Sequence, residues 1–140
     1  MIVLDTNVIS ELMLPQPDAG VLAWVNSQSA LSVWTTAVTV YEIRFGLESM
    51  AAGKRRAALI NSFQRVLNDV IQERIAAFDH AAAEHGAELA AAAKAMGRPR
   101  DARDTMIAGI VLANHATLAT GNVRHFADIT KFVVNPWEER

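Results

Sequence analysis

Short apolar runs alternate along this chain with longer stretches in which apolar residues recur at helical spacing. Ile2-Val3-Leu4 reads as a short buried strand that ends at Asp5. Thr6 or Asn7 then caps a helix running to about Leu14, where Pro15 and Pro17 stop it. A second helix starts near Asp18, with Val21, Leu22, Trp24 and Val25 on its apolar face. The segment from Ala30 to Thr36 alternates apolar and polar residues, as a half-buried strand does. Thr39 and Glu42 have the spacing of a capping box, opening a helix with Val40, Ile43, Leu47 and Met50 as its stripe and its end near Gly53. The next helix, from about Lys54, presents Leu59, Phe63, Val66, Leu67 and Val70, and pairs with its predecessor as a hairpin.

Ile75 to Phe78 is a short strand or extended link, after which Asp79 begins an alanine-rich helix that reaches about Met96 and stops at Gly97. The small side chains of this helix permit close packing. Gly97-Arg98-Pro99-Arg100 is a loop, Asp101 a cap, and Arg103 to His115 a helix apolar on nearly every side, which belongs in the middle of the fold. Thr117 to Thr120 forms a strand, Gly121-Asn122 the turn after it, and Phe132-Val133-Val134 a last strand before Pro136. Strands separated by helices through short connections predict a parallel α/β sheet covered on both faces.

The composition narrows this further. A chain of 140 residues, 51% hydrophobic and without a low-complexity tail, fits one domain spanning 1–140. Cysteine is absent, which removes disulfides and thiolate metal ligands. The start of the chain lacks the basic region of a secretory signal, and the most apolar later stretch is interrupted by Asn114-His115, so no membrane segment and a cytoplasmic location are expected. A net charge of −2 argues against a protein that coats nucleic acid by bulk attraction. It leaves a nuclease open, because carboxylates that hold cations count as negative in the formula, and basic residues concentrate at Lys54-Arg55-Arg56 and at Arg98, Arg100 and Arg103.

Three acids stand where strands hand over to helices: Asp5, Glu42 and Asp104. Open α/β sheets bind ligands beyond the carboxyl ends of their strands, and Asp5 follows such a strand directly. If the first strand is central, all three can converge on Mg²⁺ or Mn²⁺, which take hard oxygen ligands and retain several waters. Taken singly, each acid also has a structural account, since Glu42 and Asp104 lie where helix caps and dipoles favour negative charge.

Four segments together resemble the PIN domain, and within it the VapC-type (FitB-like) ribonuclease toxins of bacterial toxin-antitoxin pairs. They are Val3-Leu4-Asp5-Thr6-Asn7-Val8-Ile9-Ser10, Thr39-Val40-Tyr41-Glu42-Ile43-Arg44-Phe45-Gly46, Asp104-Thr105-Met106-Ile107-Ala108, and Thr120-Gly121-Asn122-Val123-Arg124-His125-Phe126. The resemblance covers nearly the whole chain. It implies a three-layer α/β/α fold around a parallel sheet, Mg²⁺ or Mn²⁺ held by Asp5, Glu42 and Asp104, and a fourth catalytic position at Asn122. Many PIN domains have an acid at that fourth place, and His125 stands where an aspartate is common. The resemblance also implies RNA cleavage, a cognate antitoxin that wraps the protein, and a homodimer.

Beside that resemblance, Thr6 and Thr120 are candidates for hydrogen bonds that orient the carboxylates. Arg44, Arg98, Arg100, Arg103 and Arg124 are candidates for substrate phosphates, although Arg44 has an alternative partner in Glu48, four residues on. His125 is a candidate phosphate contact or acid, with a plain surface residue as the alternative. The neutral Asn122 keeps a second reading open, a non-catalytic PIN-like module that binds RNA or protein. An aspartyl-nucleophile phosphatase ranks low, because Asn7 stands where its second aspartate would be.

Overall fold

Five short strands, β1 (Ile2–Leu4), β2 (Val33–Thr36), β3 (Ile75–Ala76), β4 (Thr117–Ala119) and β5 (Val133–Val134), build the centre of the computed structural model. The structure describes residues 1–139, so Arg140, the last residue of the expected domain, lies outside it. All strand pairs are parallel, in the order β3-β2-β1-β4-β5. The chain therefore steps outward from β1 to β2 and β3, then returns to the other side of β1 for β4 and β5. The reversal falls between β1 and β4, where diverging connections leave a crevice at the strand ends.

Helices cover both faces. On one lie α1 (Thr6–Leu12), α2 (Ala19–Ser27) and α4 (Lys54–Val66), whose core residues Val8, Val21 and Phe63 pack with Leu4 of β1. On the other, α5 (His80–Ala95), α6 (Ala102–Ala113) and α7 (Val123–Phe126) pack Ala82, Ile107, Ile110 and Phe126 against Val3 and Leu118. Helix α3 (Ala37–Glu48) contributes to both cores, through Ile43 and Leu47 to the first and Val38 to the second. Successive side chains of a strand point to opposite faces, which is why Val3 and Leu4 are both fully buried yet serve different cores. This is the three-layer α/β/α arrangement that the resemblance implied.

Several boundaries differ from expectation. Ala30–Ser32 is a 3₁₀ turn with Leu31 77% exposed, and only Val33–Thr36 pairs as strand. Thr35 and Thr36 are fully buried, so β2 is buried on both sides rather than half-buried. Helix α3 begins at Ala37, capped by Thr36, whose hydroxyl oxygen accepts the Thr39 N–H at 3.0 Å. The Thr39–Glu42 capping box does not form, and Glu42 sits in the second turn. Past Val66 the fourth helix widens into a π-helical segment, Leu67–Ile71, before β3.

Helices α5 and α6 approach unusually closely because small residues line their contact. A Cβ added to Gly109 would lie 2.4 Å from the Ala82 carbonyl oxygen and 3.0 Å from the Gly86 nitrogen, both backbone atoms that cannot swing aside. At the far end of α6 the turn closes on His115, a non-glycine residue at φ 51°, while Ala116 N–H returns to the Val111 carbonyl at 3.0 Å.

Two stability changes of opposite sign follow, both read by urea denaturation at neutral pH. Gly109→Ala destabilises by about 3 kcal/mol, because the helices must separate to admit the methyl group. His115→Gly stabilises by roughly 0.5–1 kcal/mol, since glycine reaches the left-handed conformation without the Cβ penalty. A neutral Gly109→Ala would mean that the helix contact is looser than described.

Candidate functional site

The end of β1 meets the end of β4, and the hydrogen bonds there begin with the backbone. Asp5 N–H donates to the Ala119 carbonyl at 3.0 Å, which aligns the residue after β1 with the residue after β4, Thr120. Asp5 is extended and serves as N-cap of α1, its Oδ1 accepting the Thr6 N–H at 2.8 Å. Its Oδ2 accepts from Thr120 Oγ1 at 2.8 Å and from Asn7 Nδ2 at 3.1 Å. The carboxylate is only 4% exposed, and burial pushes its pKa up. The donors from Thr120, Thr6 and Asn7 oppose that shift, and the charge of Asp104 adds to it.

Thr120 and Asn7 knit the floor. Thr120 Oγ1 also accepts the Asn122 N–H at 3.0 Å and faces Asn7 Nδ2 at 3.1 Å, while Asn7 Oδ1 accepts the Gly121 N–H at 2.9 Å. The Gly121-Asn122 turn is thus tied to the start of α1, through Asn7 directly and through Thr120 to Asp5. Thr120 is hydrogen-bonded to the Asp5 carboxylate, and Asn7, a cap candidate from sequence, bridges Asp5, Thr120 and Gly121 instead. Its bridge spans more than a hundred residues of sequence, and no local pattern marks it.

Glu42 reaches the site from the second turn of α3. Thr6 Oγ1 donates to its Oε1 at 3.2 Å and contacts Thr39 Oγ1 at 3.0 Å, so one threonine links the starts of α1 and α3. Arg103 Nη1 lies 3.9 Å from Glu42 Oε2. Burial raises the Glu42 pKa; Thr6 and Arg103 oppose this, and Asp5 and Asp104 add to it. Asp104 comes from the first turn of α6, capped by Asp101, with His125 Nδ1 at 3.5 Å from its Oδ2. The three acids therefore sit close enough to act electrostatically on one another.

The remaining candidates separate. Asn122 is held at the turn through its backbone, and its side chain makes no capping bond to α7. Arg44 pairs with Glu48, which also takes Arg56, so its alternative role is the one the structure shows. Arg100 pairs with Asp128 and donates to the His125 carbonyl at 2.8 Å. Arg103 lies between Asp101, at 3.6 Å, and Glu42. Arg98 and Arg124 border a cavity of about 390 Å³ together with Asp104 and His125, and neither forms an ion pair among the described residues. A further cavity of about 670 Å³ between α1 and α4 involves none of these side chains.

The donor set can be compared with the needs of a divalent cation. Among the described residues, no three carboxylate or imidazole side chains converge tightly enough to form a ready-made cage. The donors are nevertheless hard oxygens, and a cation between them would offset both the burial that chiefly raises Asp5 and Glu42 and the smaller repulsion between the acids. Mg²⁺ or Mn²⁺, which retain waters and need few protein ligands, fit this set.

Comparison with known proteins places the architecture. The family model of the PIN domain matches residues 2–131. The chain is 40% identical over 138 residues to the VapC ribonuclease Y4jK of Sinorhizobium fredii, covering 99% of each. It is 34% identical over 139 residues to the toxin FitB of Neisseria gonorrhoeae, covering 99% of this chain and 100% of that one. The crystal structure of FitAcB from Neisseria gonorrhoeae superposes with a TM-score of 0.85 at 35% identity, covering 99% of both chains. This chain belongs to the PIN-domain family, within its VapC/FitB toxin group.

Proposed function

We propose that the protein is a divalent-metal-dependent endoribonuclease and the toxin of a toxin-antitoxin pair. The observation that carries this reading is the coupling of Asp5, Glu42 and Asp104 at the reversal point of the sheet, where two of the three are held against the cost of burial. A buried carboxylate whose charge is opposed by its surroundings points to a functional group more than to a stabilising one. The names of two relatives, a VapC ribonuclease and a toxin, support the class of activity.

Asp5, Glu42 and Asp104 would hold Mg²⁺ or Mn²⁺, with Asn122 available to offer a carbonyl oxygen from the turn. Bound there, the cation would lower the pKa of a coordinated water and offset negative charge on a phosphodiester. The chain's own contribution is positional. Thr120, Asn7 and the Thr6 N–H fix both oxygens of Asp5, and the Thr6 hydroxyl fixes Glu42. Arg103, half-exposed beside Glu42, is placed to move between that carboxylate and a substrate phosphate.

With RNA as its substrate the protein would act in the cytoplasm. The partners we propose are a cognate antitoxin and a second copy of the chain. Exposed Leu14, Leu22, Leu31, Tyr41 and Phe45 supply apolar surface for them. The alternative, a non-catalytic binding module, predicts RNA or protein binding that does not need the cation.

Purified, partner-free protein should cut a mixed structured RNA pool with Mg²⁺ or Mn²⁺, be silent with chelator, and lose at least 100-fold in rate as Asp5→Asn, which leaves the fold intact by circular dichroism. Raised carboxylate pKa values mean that protons compete with the cation as pH falls towards the Asp5 and Glu42 values. The Mn²⁺-induced rise in melting temperature should therefore shrink between about pH 7 and about pH 5. Cleavage that survives chelation or Asp5→Asn would refute the metal-dependent reading.

Thr120→Val tests the positioning of Asp5. Without the hydroxyl, Asp5 loses its shortest side-chain donor and the Asn122 N–H loses its acceptor. Mn²⁺ affinity, measured by calorimetry, should fall about 10–100-fold. An unchanged affinity would show that Thr120 serves only the fold.

A further inference from the structure

We propose that Arg98 and Arg124 form a phosphate-binding subsite beside Asp104, holding the RNA phosphate next to the one that is cut. The inference rests on the nuclease reading for its biological meaning but on independent geometry for its site. Arg98, Arg100, Arg124, His125, Asp104 and Asp128 line one cavity of about 390 Å³, large enough for a phosphate and its sugar. Its charges are not equivalent.

Arg100 is neutralised by Asp128, and its other nitrogen donates to the His125 carbonyl. This arginine is a strap that ties the loop after α5 to α7. Asp101 is taken up by the Arg103 N–H at 2.8 Å and by the Arg103 side chain at 3.6 Å. Asp104 faces His125 at 3.5 Å. Of the three arginines that line this cavity, Arg98 and Arg124 are the two without an acidic partner among the described residues, on walls that Arg100 joins. Two guanidinium groups bordering a pocket match the oxygens of a phosphate better than any other anion an RNA strand presents.

The backbone holds both in place. Helix α5 ends in a left-handed turn at Gly97, φ 70°, with Gly97 N–H returned to the Lys94 carbonyl at 3.0 Å and Arg98 N–H to the Ala93 carbonyl at 2.9 Å. That double closure sets where Arg98 leaves the helix. Arg124 follows the Gly121-Asn122 turn, which Thr120 and Asn7 fasten to the start of α1. It also borders a second cavity, of about 420 Å³, beside Asn122, so a strand in the acidic site can continue past it. Among the five arginines read from sequence as phosphate candidates, Arg44 is paired with Glu48 and Arg100 is held in the strap, Arg103 stands between Asp101 and Glu42, and Arg98 and Arg124 have no ion-pair partner among the described residues.

The test is binding, read without cleavage. A fluorescein-labelled twelve-nucleotide single-stranded RNA is titrated by anisotropy against the full chain in the uncut Asp5→Asn background, from 50 to 200 mM salt. Arg98→Ala and Arg124→Ala should each weaken binding about 5–10-fold at low salt and reduce the slope of log K against log salt by about 0.7, the value for one single-strand phosphate. Arg44→Ala should change neither, and Arg98→Lys should keep the slope while losing part of the affinity, because it keeps charge without the planar fork. Equal slopes for Arg98→Ala, Arg124→Ala and Arg44→Ala would overturn the subsite. So would variants that bind RNA normally but lose affinity for an acidic peptide, which would assign the pocket to a protein partner. Failure of the nuclease reading shows instead as absent cleavage by the unmutated protein with these slopes intact.

Discussion

The carboxylate of Asp5 is the group around which the rest of the architecture is arranged. It is buried at the end of the central strand, where transfer from water opposes its charge, and it stays useful only while hydrogen-bond donors surround it. Those donors come from three places: the backbone of α1, Asn7 in the same helix, and Thr120 beyond β4. The α1 start and the β4 end can both reach one residue only if β1 and β4 are adjacent and in register. The pairing of Leu4 with Ala119 provides that. Sheet order and site are therefore one constraint, and a slip of one residue in β4 would point Thr120 away from the acid.

The outer layers bring the other two acids to the same crevice by different means. Glu42 arrives through a chain of hydroxyls, Thr36 capping α3, Thr39 contacting Thr6, and Thr6 donating to Glu42. Asp104 arrives because α6 is held tightly against α5 at Gly109, which sets the depth at which the first turn of α6 lies. Neither packing nor polar bonding alone suffices. The first fixes where the helix lies, and the second fixes how the side chain at its end is turned.

Much of this was legible in the sequence, for a physical reason. Ile2-Val3-Leu4 and α6 are continuous apolar stretches whose burial can be read from composition, and the alanine-rich α5 announces its helix and the small residues Ala82, Gly86 and Ala93 of its buried side. The start of α3 was misread because Thr35, Thr36 and Thr39 are all chemically competent caps within five positions. The choice falls on Thr36 through tertiary pairing, since β2 runs to that residue opposite Ala76, and only then can the helix begin. Leu31 deceived the alternation pattern in the same way: an apolar residue in a short polar context looks like strand until the sheet shows where pairing starts. Asn7 could be read locally as a cap, but its bridge to Thr120 and Gly121 could not, because those contacts come from more than a hundred positions away.

The arginines show the same division between what sequence states and what structure decides. Five of them looked equivalent as phosphate ligands because charge is a property of the residue, whereas availability is a property of its neighbours. Glu48 lies one helical turn from Arg44 and engages it locally. Asp128 engages Arg100 across 28 positions, a pairing that exists only once α7 folds back over the loop after α5. A net charge of −2 does not decide the local balance: beside Asp104 one cavity aspartate, Asp128, is taken by Arg100 and another, Asp101, by Arg103, which itself does not line the cavity. The charge that any incoming anion meets is the local remainder after these pairings, and here it lies beside the acidic site on Arg98 and Arg124.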